Sequence, residues 1–283
     1  MSDHVVCIGL ATLDTITAVP RHPEPDDRVV ATAHAVAGGG PAATAAVALV
    51  RLGVRAFLVG AVGDDRAGDD IRAGLEAERV DVSELVTVTG APSPQSSILV
   101  GDGTRAIVTH PGAAPRFEPS ERARRLCRDA AWTHVDQAGY AVAPRAARLS
   151  VDGGNPIEDL DLDGVSLYAP TETALRERFG SAEAALAAGA ELVVVTRGAE
   201  GSAAYTADGQ VVEAPAFPCD TVSTLGAGDV FHGALLAQLV RDAPLADALA
   251  AANAAAALSC RALDGRSAIP TRKELEACLI ASR

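Results

Sequence analysis

The sequence predicts an α/β protein in which a mostly parallel sheet is sandwiched between helices. Three observations predict it. Short apolar runs, among them His4–Leu10, Ala56–Val62 and Glu191–Thr196, lack polar alternation, as strands buried on both faces do. Ala-rich or amphipathic helical segments separate these runs. The length, 283 residues, suits one large domain, or one with a small appendage, and the chain reads as a single domain over 1–283.

Composition narrows the function classes. The formal net charge is −13 and the pI near 4.8, which argues against nucleic acid or an anionic membrane as partner. Lys273 is the only lysine, so the Gly-Lys-Ser/Thr of a P-loop is excluded. The five cysteines (Cys7, Cys127, Cys219, Cys260, Cys278) are widely spaced, with no Cys-x-x-Cys, and read as buried thiols in a reducing compartment. The N-terminus enters a strand at once, and no uninterrupted apolar run approaches the ~18 residues of a membrane span. The expectation is a cytoplasmic protein.

Taken in order, His4–Leu10 is a buried strand with Asp14 beyond its end, where α/β proteins place ligands. Pro20, Pro23 and Pro25 then break the chain, leaving β-like pieces at Thr15–Val19 and Arg28–Val36. Arg28 either reaches a substrate anion or lies in solvent. Gly38-Gly39-Gly40-Pro41 leads into an Ala-rich helix to Leu52, with proline in the first turn. After the strand Ala56–Val62, Gly63, Asp65 and Gly68 read as turn and cap residues before the helix Ala67–Glu78. Ser96–Val100 and Arg105–Thr109 flank Asp102-Gly103, a hairpin signal. Pro119–Asp129 is a helix; Thr133–Asp136 and Leu149–Asp152 are strands. The intervening residues, about a dozen and including Pro144, are the minimum for a crossover.

Val165–Tyr168 is a strand leading to Pro170-Thr171-Glu172-Thr173-Ala174. Glu191–Thr196 ends in the Gly-bearing turn Thr196-Arg197-Gly198-Ala199-Glu200-Gly201, and Ala203–Thr206 with Gln210–Ala214 forms a hairpin. Helices are expected from Gly226 to about Leu239, over Leu245–Cys260 and over Thr271–Ala281.

The chemistry concentrates in Ser223-Thr224-Leu225-Gly226-Ala227-Gly228-Asp229-Val230-Phe231-His232-Gly233-Ala234. A small-residue turn runs straight into a helix, so a ligand can approach the uncapped N–H groups at its positive end. That makes an anion site. A carboxylate there, Asp229, would repel a static phosphate. It makes sense if the phosphate is being transferred and Asp229 takes the proton of the acceptor hydroxyl.

This segment resembles the Asp-Thr-Thr/Leu-Gly-Ala-Gly-Asp signature of the ribokinase-like (PfkB) carbohydrate kinases, and the resemblance covers nearly the whole chain. It implies a three-layer fold with a small β-sheet lid built from about 15–37 and 95–110, cytoplasmic kinase activity and a homodimer through the lid. It implies Asp229 as base, with Gly226, Ala227 and Gly228 as the anion hole. Sugar contacts fall to Asp14, Arg28, Gly38, Gly39, Gly40 and Thr109, and ATP to Thr196, Gly198, Gly201, Thr224, Asn253 and Gly265. The stretches Gly38–Ala46 and Gly265–Pro270 are similar to the sulfofructose-kinase branch. Departures are as informative. Ala43 replaces the usual Asn of Gly-Gly-x-x-x-Asn. Thr171 and Ala174 replace the Asn-x-x-Glu that orders Mg²⁺, leaving Glu172 as substitute. Ser223 replaces an Asp near a monovalent-cation site.

A dinucleotide-binding Rossmann domain fits poorly, because Phe231 occupies the third glycine position of the pattern and the motif lies near the C-terminus. The expectation is an ATP- and Mg²⁺-dependent kinase of a primary hydroxyl on a fructose-like ketose or C6-modified derivative. The alternatives are a nucleoside kinase and a catalytically impaired sugar or nucleotide sensor.

Overall fold

The computed structural model describes residues 3–114, 117–144 and 148–281. The first strand, β1 (His4–Ile8), is buried at every position, and its two parities serve opposite sides. Val5 and Cys7 join one hydrophobic cluster, Val6 and Ile8 the other. The nine-stranded sheet built on β1 therefore has a core on each face.

After β1 come β2 (Thr12–Ala18), β3 (Ala33–Gly39), α1 (Pro41–Arg51), β4 (Arg55–Gly63), α2 (Arg66–Ala77) and β5 (Asp81–Val88). The hairpin β6 (Gln95–Gly101) and β7 (Thr104–His110) follows, then α3 (Glu121–Asp129), β8 (Trp132–Val135), β9 (Leu149–Gly153) and β10 (Leu167–Pro170). Next are α4 (Glu172–Arg178), α5 (Ala182–Ala187), β11 (Leu192–Thr196), β12 (Ser202–Thr206) and β13 (Val211–Ala214). The chain closes with α6 (Ala227–Leu239), α7 (Leu245–Ser259) and α8 (Arg272–Ala281).

The large sheet runs β13-β12-β11-β10-β9-β8-β1-β4-β5. It is parallel from β5 to β11 and antiparallel only at the β12–β13 edge. Helices α1, α6 and α7 share the cluster on one face, and α3, α4 and α5 contribute to the other. Interior alanines let α1 and α6 approach closely: a Cβ added to Gly233 would meet the Ala45 carbonyl at 2.5 Å. This is the three-layer architecture expected.

A second, four-stranded sheet has the order β3-β2-β6-β7. The β6–β7 turn has both Asp102 and Gly103 at positive φ, 51° and 69°, as a two-residue type I′ hairpin requires. This sheet is the small β-sheet that the resemblance implies as a lid. Its buried apolar side chains are few: Ile16 and Ile98 pack with Leu225 from the segment before α6.

Some elements differ from expectation. The β-like piece at Arg28–Val36 begins instead at Ala33, because the proline-broken stretch before it stays irregular. Strand β5 has no sequence forecast; its run mixes Asp81, Ser83 and Glu84 with Val82 and Leu85, as befits an edge. Helices α4 and α5 are likewise unforecast, each started by a hydroxyl cap, Thr171 onto the N–H of Ala174 and Ser181 onto that of Ala184. Strands β8 and β9 pair in parallel, but residues 145–147 of the short crossover between them lie outside the described residues.

Candidate active site

In an open parallel sheet the carboxyl ends of the strands border the ligand crevice. Here those ends and the small sheet enclose a cleft of about 310 Å³. Asp152 and Ala169 are the penultimate residues of β9 and β10, Thr196 is the last of β11, and all three line it. On the opposite wall Arg105, Ile107 and Thr109 line it from β7, the alternate residues of one strand face.

Helix α6 enters this cleft by its N-terminus. Gly226 precedes it in the left-handed region, φ 72°, and no side chain caps the helix. A Cβ on Gly226 would meet the Gly265 backbone at 3.0 Å, whereas one on Gly228 would meet nothing within 4 Å. The first turn is thus open to a ligand, as an anion site needs. Asp229, half-buried in that turn, has its carboxyl pushed up to about 7. Desolvation is the largest cause, and the neighbouring carboxylates of Asp152 and Asp136 add to it, against the pull of His232 and Arg266.

The acceptor side is built on β2 and β3. Asp14 is buried, and its Oδ1 accepts a 2.6 Å bond from the Thr12 hydroxyl. Burial raises its pKa, with hydrogen bonds from Thr12 and Ser96 opposing. Gly39 must lack a side chain, since a Cβ would run into the Asp14 carboxylate and reach Thr12 Oγ1 at 2.8 Å. Beneath Gly38 lies the buried guanidinium of Arg266, which donates to the Gly39 carbonyl at 2.5 Å and to Thr44 Oγ1 at 3.2 Å. Its burial lowers its pKa to about 10, while Asp14 and Asp229 hold the charge in place. Asp136, buried under the cleft, accepts from the N–H groups of Leu10, Ala42, Ala138 and Gly139 and so clamps β1, α1 and the segment after β8 together.

The cleft brings together Asp14, Gly38, Gly39, Gly40, Thr109, Thr196, Gly226, Gly228, Asp229 and Gly265. It does not include Arg28. Residue Ala18, the last of β2, is four residues and ~13 Å along the strand from Asp14, and Arg28 belongs to the exposed loop beyond it. The cation that does line the cleft is Arg105, which donates to Thr224 Oγ1 at 2.9 Å. Thr224 and Ala227 stand beside the cleft; the Ala227 N–H is taken by the Thr224 carbonyl at 3.3 Å. Gly198 (φ 57°) and Gly201 (φ 93°) shape the turn after β11, and a Cβ on Gly201 would strike the Ala214–Ala216 backbone. Asn253 is buried with its amide spent on the carbonyls of Ala214 and Pro215, both at 3.0 Å. It ties α7 to the end of β13 and so shapes that wall through backbone.

The metal expectation at Glu172 needs correction. Its carboxylate pairs with Arg197 at 3.7 Å, is 58% exposed, and stays outside the cleft. The Thr171 hydroxyl lines the cleft but caps α4. Among the described residues no group of three His, Cys, Asp or Glu could hold a metal ion. The donor set therefore suits a hydrated Mg²⁺ carried in on nucleotide phosphates rather than one caged by protein.

The pfkB family carbohydrate kinase model matches residues 2–149 and 162–272. The chain belongs to this family. A Halopiger xanaduensis ATP-dependent ribose-1-phosphate kinase is 31% identical, with 97% of each chain covered. A Bacillus subtilis ribokinase is 28% identical over 98% of this chain and 99% of its own. The structure of Arabidopsis thaliana ribokinase complexed with ribose and ATP superposes with a TM-score of 0.84, at 23% identity and 99% coverage of both chains, a likeness of fold. This pfkB kinase is thus an ATP-dependent phosphotransferase acting on a sugar or nucleoside hydroxyl.

Residues lining the cleft that the sequence reading did not single out include Ser96, Arg105, Gln137, Asp152, Asn155 and His232. Signals existed for several. Asp152 lies near the end of a buried strand, the position that singled out Asp14. His232 is three residues from Asp229, hence on the same helix face. Arg105 shares strand parity with Thr109. No helix among the described residues is long and apolar enough to cross a membrane.

Proposed function

We propose that the chain phosphorylates the primary hydroxyl of a furanose sugar of the ribose class. The observation that carries this reading is the convergence of Asp14 and Asp229 on one cleft, with the open N-terminus of α6 between nucleotide and acceptor sides. Asp14 accepts hydrogen bonds from sugar hydroxyls, and its fixed partner Thr12 keeps the carboxylate oriented. Asp229 takes the proton of the attacking hydroxyl, and a carboxyl near 7 is poised for that at neutral pH. The Gly228 and Asp229 N–H groups face the charge that develops on the transferring group. When bound, Mg²⁺–ATP supplies the phosphoryl group and the metal offsets its charge. The ribose-class assignment draws on the names of the Bacillus and Halopiger relatives.

A second reading, an acceptor bearing an anionic group, is favoured by Arg105 in the cleft wall and by Ala43, which lacks the usual amide. Sugar 1-phosphates and C6-anionic ketoses both meet that description. A nucleoside base has less to hold it, since no Phe, Tyr or Trp lines the cleft among the described residues. A non-catalytic sensor would have no use for Asp229. The test is ATP consumption across ribose, ribose 1-phosphate, fructose, C6-anionic ketoses and nucleosides. Turnover confined to nucleosides, or no turnover, would sink the proposal.

A further inference from the structure

Behind Asp229 lies a group of ionisable residues that the reaction above does not use. His232 and Asp152 are 5% and 4% exposed, and His232 Nδ1 is 3.4 Å from Asp152 Oδ2. That is a charge contact, longer than a well-made hydrogen bond. The ring is held from another side by the Ala169 backbone. His134 meets His232 edge-on, centroids 5.5 Å apart, and its Nδ1 lies 3.1 Å from Ser150 Oγ.

A buried carboxylate without a counter-charge is expensive. From β9, Asp152 faces His232 and Asp229 on α6 and His134 on β8. Asp136 adds a further carboxylate, and Arg266 adds a guanidinium from the segment before α8. Asp152, Asp229 and Asp136 therefore share two cations, and Arg266 also answers to Asp14, so His232 is the cation in contact with Asp152. His134 carries no charge: burial, and then the charge on His232, press it down to about 3. For His232 burial favours the neutral ring, but the facing carboxylates of Asp152 and Asp229 outweigh it and raise its pKa.

We propose that His232 is a positioning residue for Asp229: its imidazolium, fixed between Asp152 and the Ala169 carbonyl, offsets the Asp152 charge beside the base. The proposal rests on Asp229 being that base. Without His232, Asp229 faces two carboxylates with only Arg266 in opposition, and it keeps its proton to higher pH.

The experiment is NMR titration of isotopically labelled protein, with the Asp229 carboxyl signal assigned by its loss in Asp229→Asn. In the wild type the His232 ring stays protonated through pH 7, and Asp152→Asn lowers its titration point. His232→Gln moves the Asp229 titration up by about one pH unit. The acid limb of kcat/KM moves with it, so the rate below the limb falls about tenfold and the alkaline plateau stays. His134→Gln, removing a neutral ring, leaves the Asp229 titration in place. A neutral His232 at pH 7 in the wild type overturns the proposal, as does an unmoved Asp229 titration in folded His232→Gln. The titrations need no turnover. A protein inactive on every acceptor sinks the kinase assignment of this site, and the spectra still decide the charge relation.

Discussion

Replacing Asp229 with Asn should trade activity for stability. The Asn side chain keeps the size and loses the proton acceptor. The expected fall in kcat is roughly 10²–10⁴-fold, the usual worth of general-base catalysis. The stability change follows from the raised carboxyl, about 7 against an ordinary 3.8. Between about pH 4 and 7 the folded state binds a proton there that the unfolded chain has released. Wild-type stability therefore declines as pH rises through that window, and the decline is complete above about 7. Three pH units at 1.36 kcal/mol each give an upper limit of about 4 kcal/mol. Asp229 is only half-buried, so solvent screening reduces this, and about 1–2 kcal/mol is expected. For a chain of this size that is a rise of about 2–3 °C in Tm at pH 8. At pH 4 the two proteins should melt together. The assays are turnover under saturating ATP and thermal melts at pH 4 and pH 8. A variant with near-wild-type kcat would refute the base, and equal Tm at pH 8 would refute the electrostatics.

Other outcomes follow from the same geometry. Gly228→Val should fold normally, since nothing lies within 4 Å of the new Cβ, yet lose turnover because the side chain fills the ligand's approach; unchanged kinetics in the folded variant would place the phosphate elsewhere. Arg105→Ala should raise KM about tenfold for anionic acceptors and leave neutral sugars unaffected, and equal effects on both classes would dismiss Arg105 as an anion contact. Ala174→Glu, restoring the missing carboxylate, should lower the half-saturating Mg²⁺ concentration about 10-fold or more. Glu172→Ala should leave that curve in place, because the side chain is turned to Arg197; a Mg²⁺ titration of turnover at fixed ATP reads both.

Much of the fold was legible because parallel strands buried on both faces leave unbroken apolar runs, as in β1 and β11. Strand β5 escaped because an edge strand with a charged outer face carries no such run. Helices α4 and α5 are only 7 and 6 residues long, too short for a helical period to register. In the site, Asp229 and the glycines announced themselves through local backbone requirements. Asp152, His134 and His232 did not, since their proximity arises from β8, β9 and α6 meeting in space. Arg28 misled for the complementary reason: its neighbourhood in sequence to Asp14 is undone by a rigid strand that carries it away.

The small sheet joins the main body at one end, where Leu13, Gln95 and His110 lie side by side, through the residues before Thr12, through Gly39 to Pro41, and through the segments that precede β6 and follow β7. The first two of these stems carry Asp14 and Gly39. The sheet is consequently a lever whose fulcrum lies against the acceptor. A rotation of a few degrees there hardly displaces the sugar contacts, while it sweeps the outer loop around Val30, which is 82% exposed, through the largest arc. A fluorophore attached at Val30 would therefore report any rotation of this sheet on acceptor binding from a point far from the chemistry. Extra residues spliced into the same loop should be carried as passive cargo.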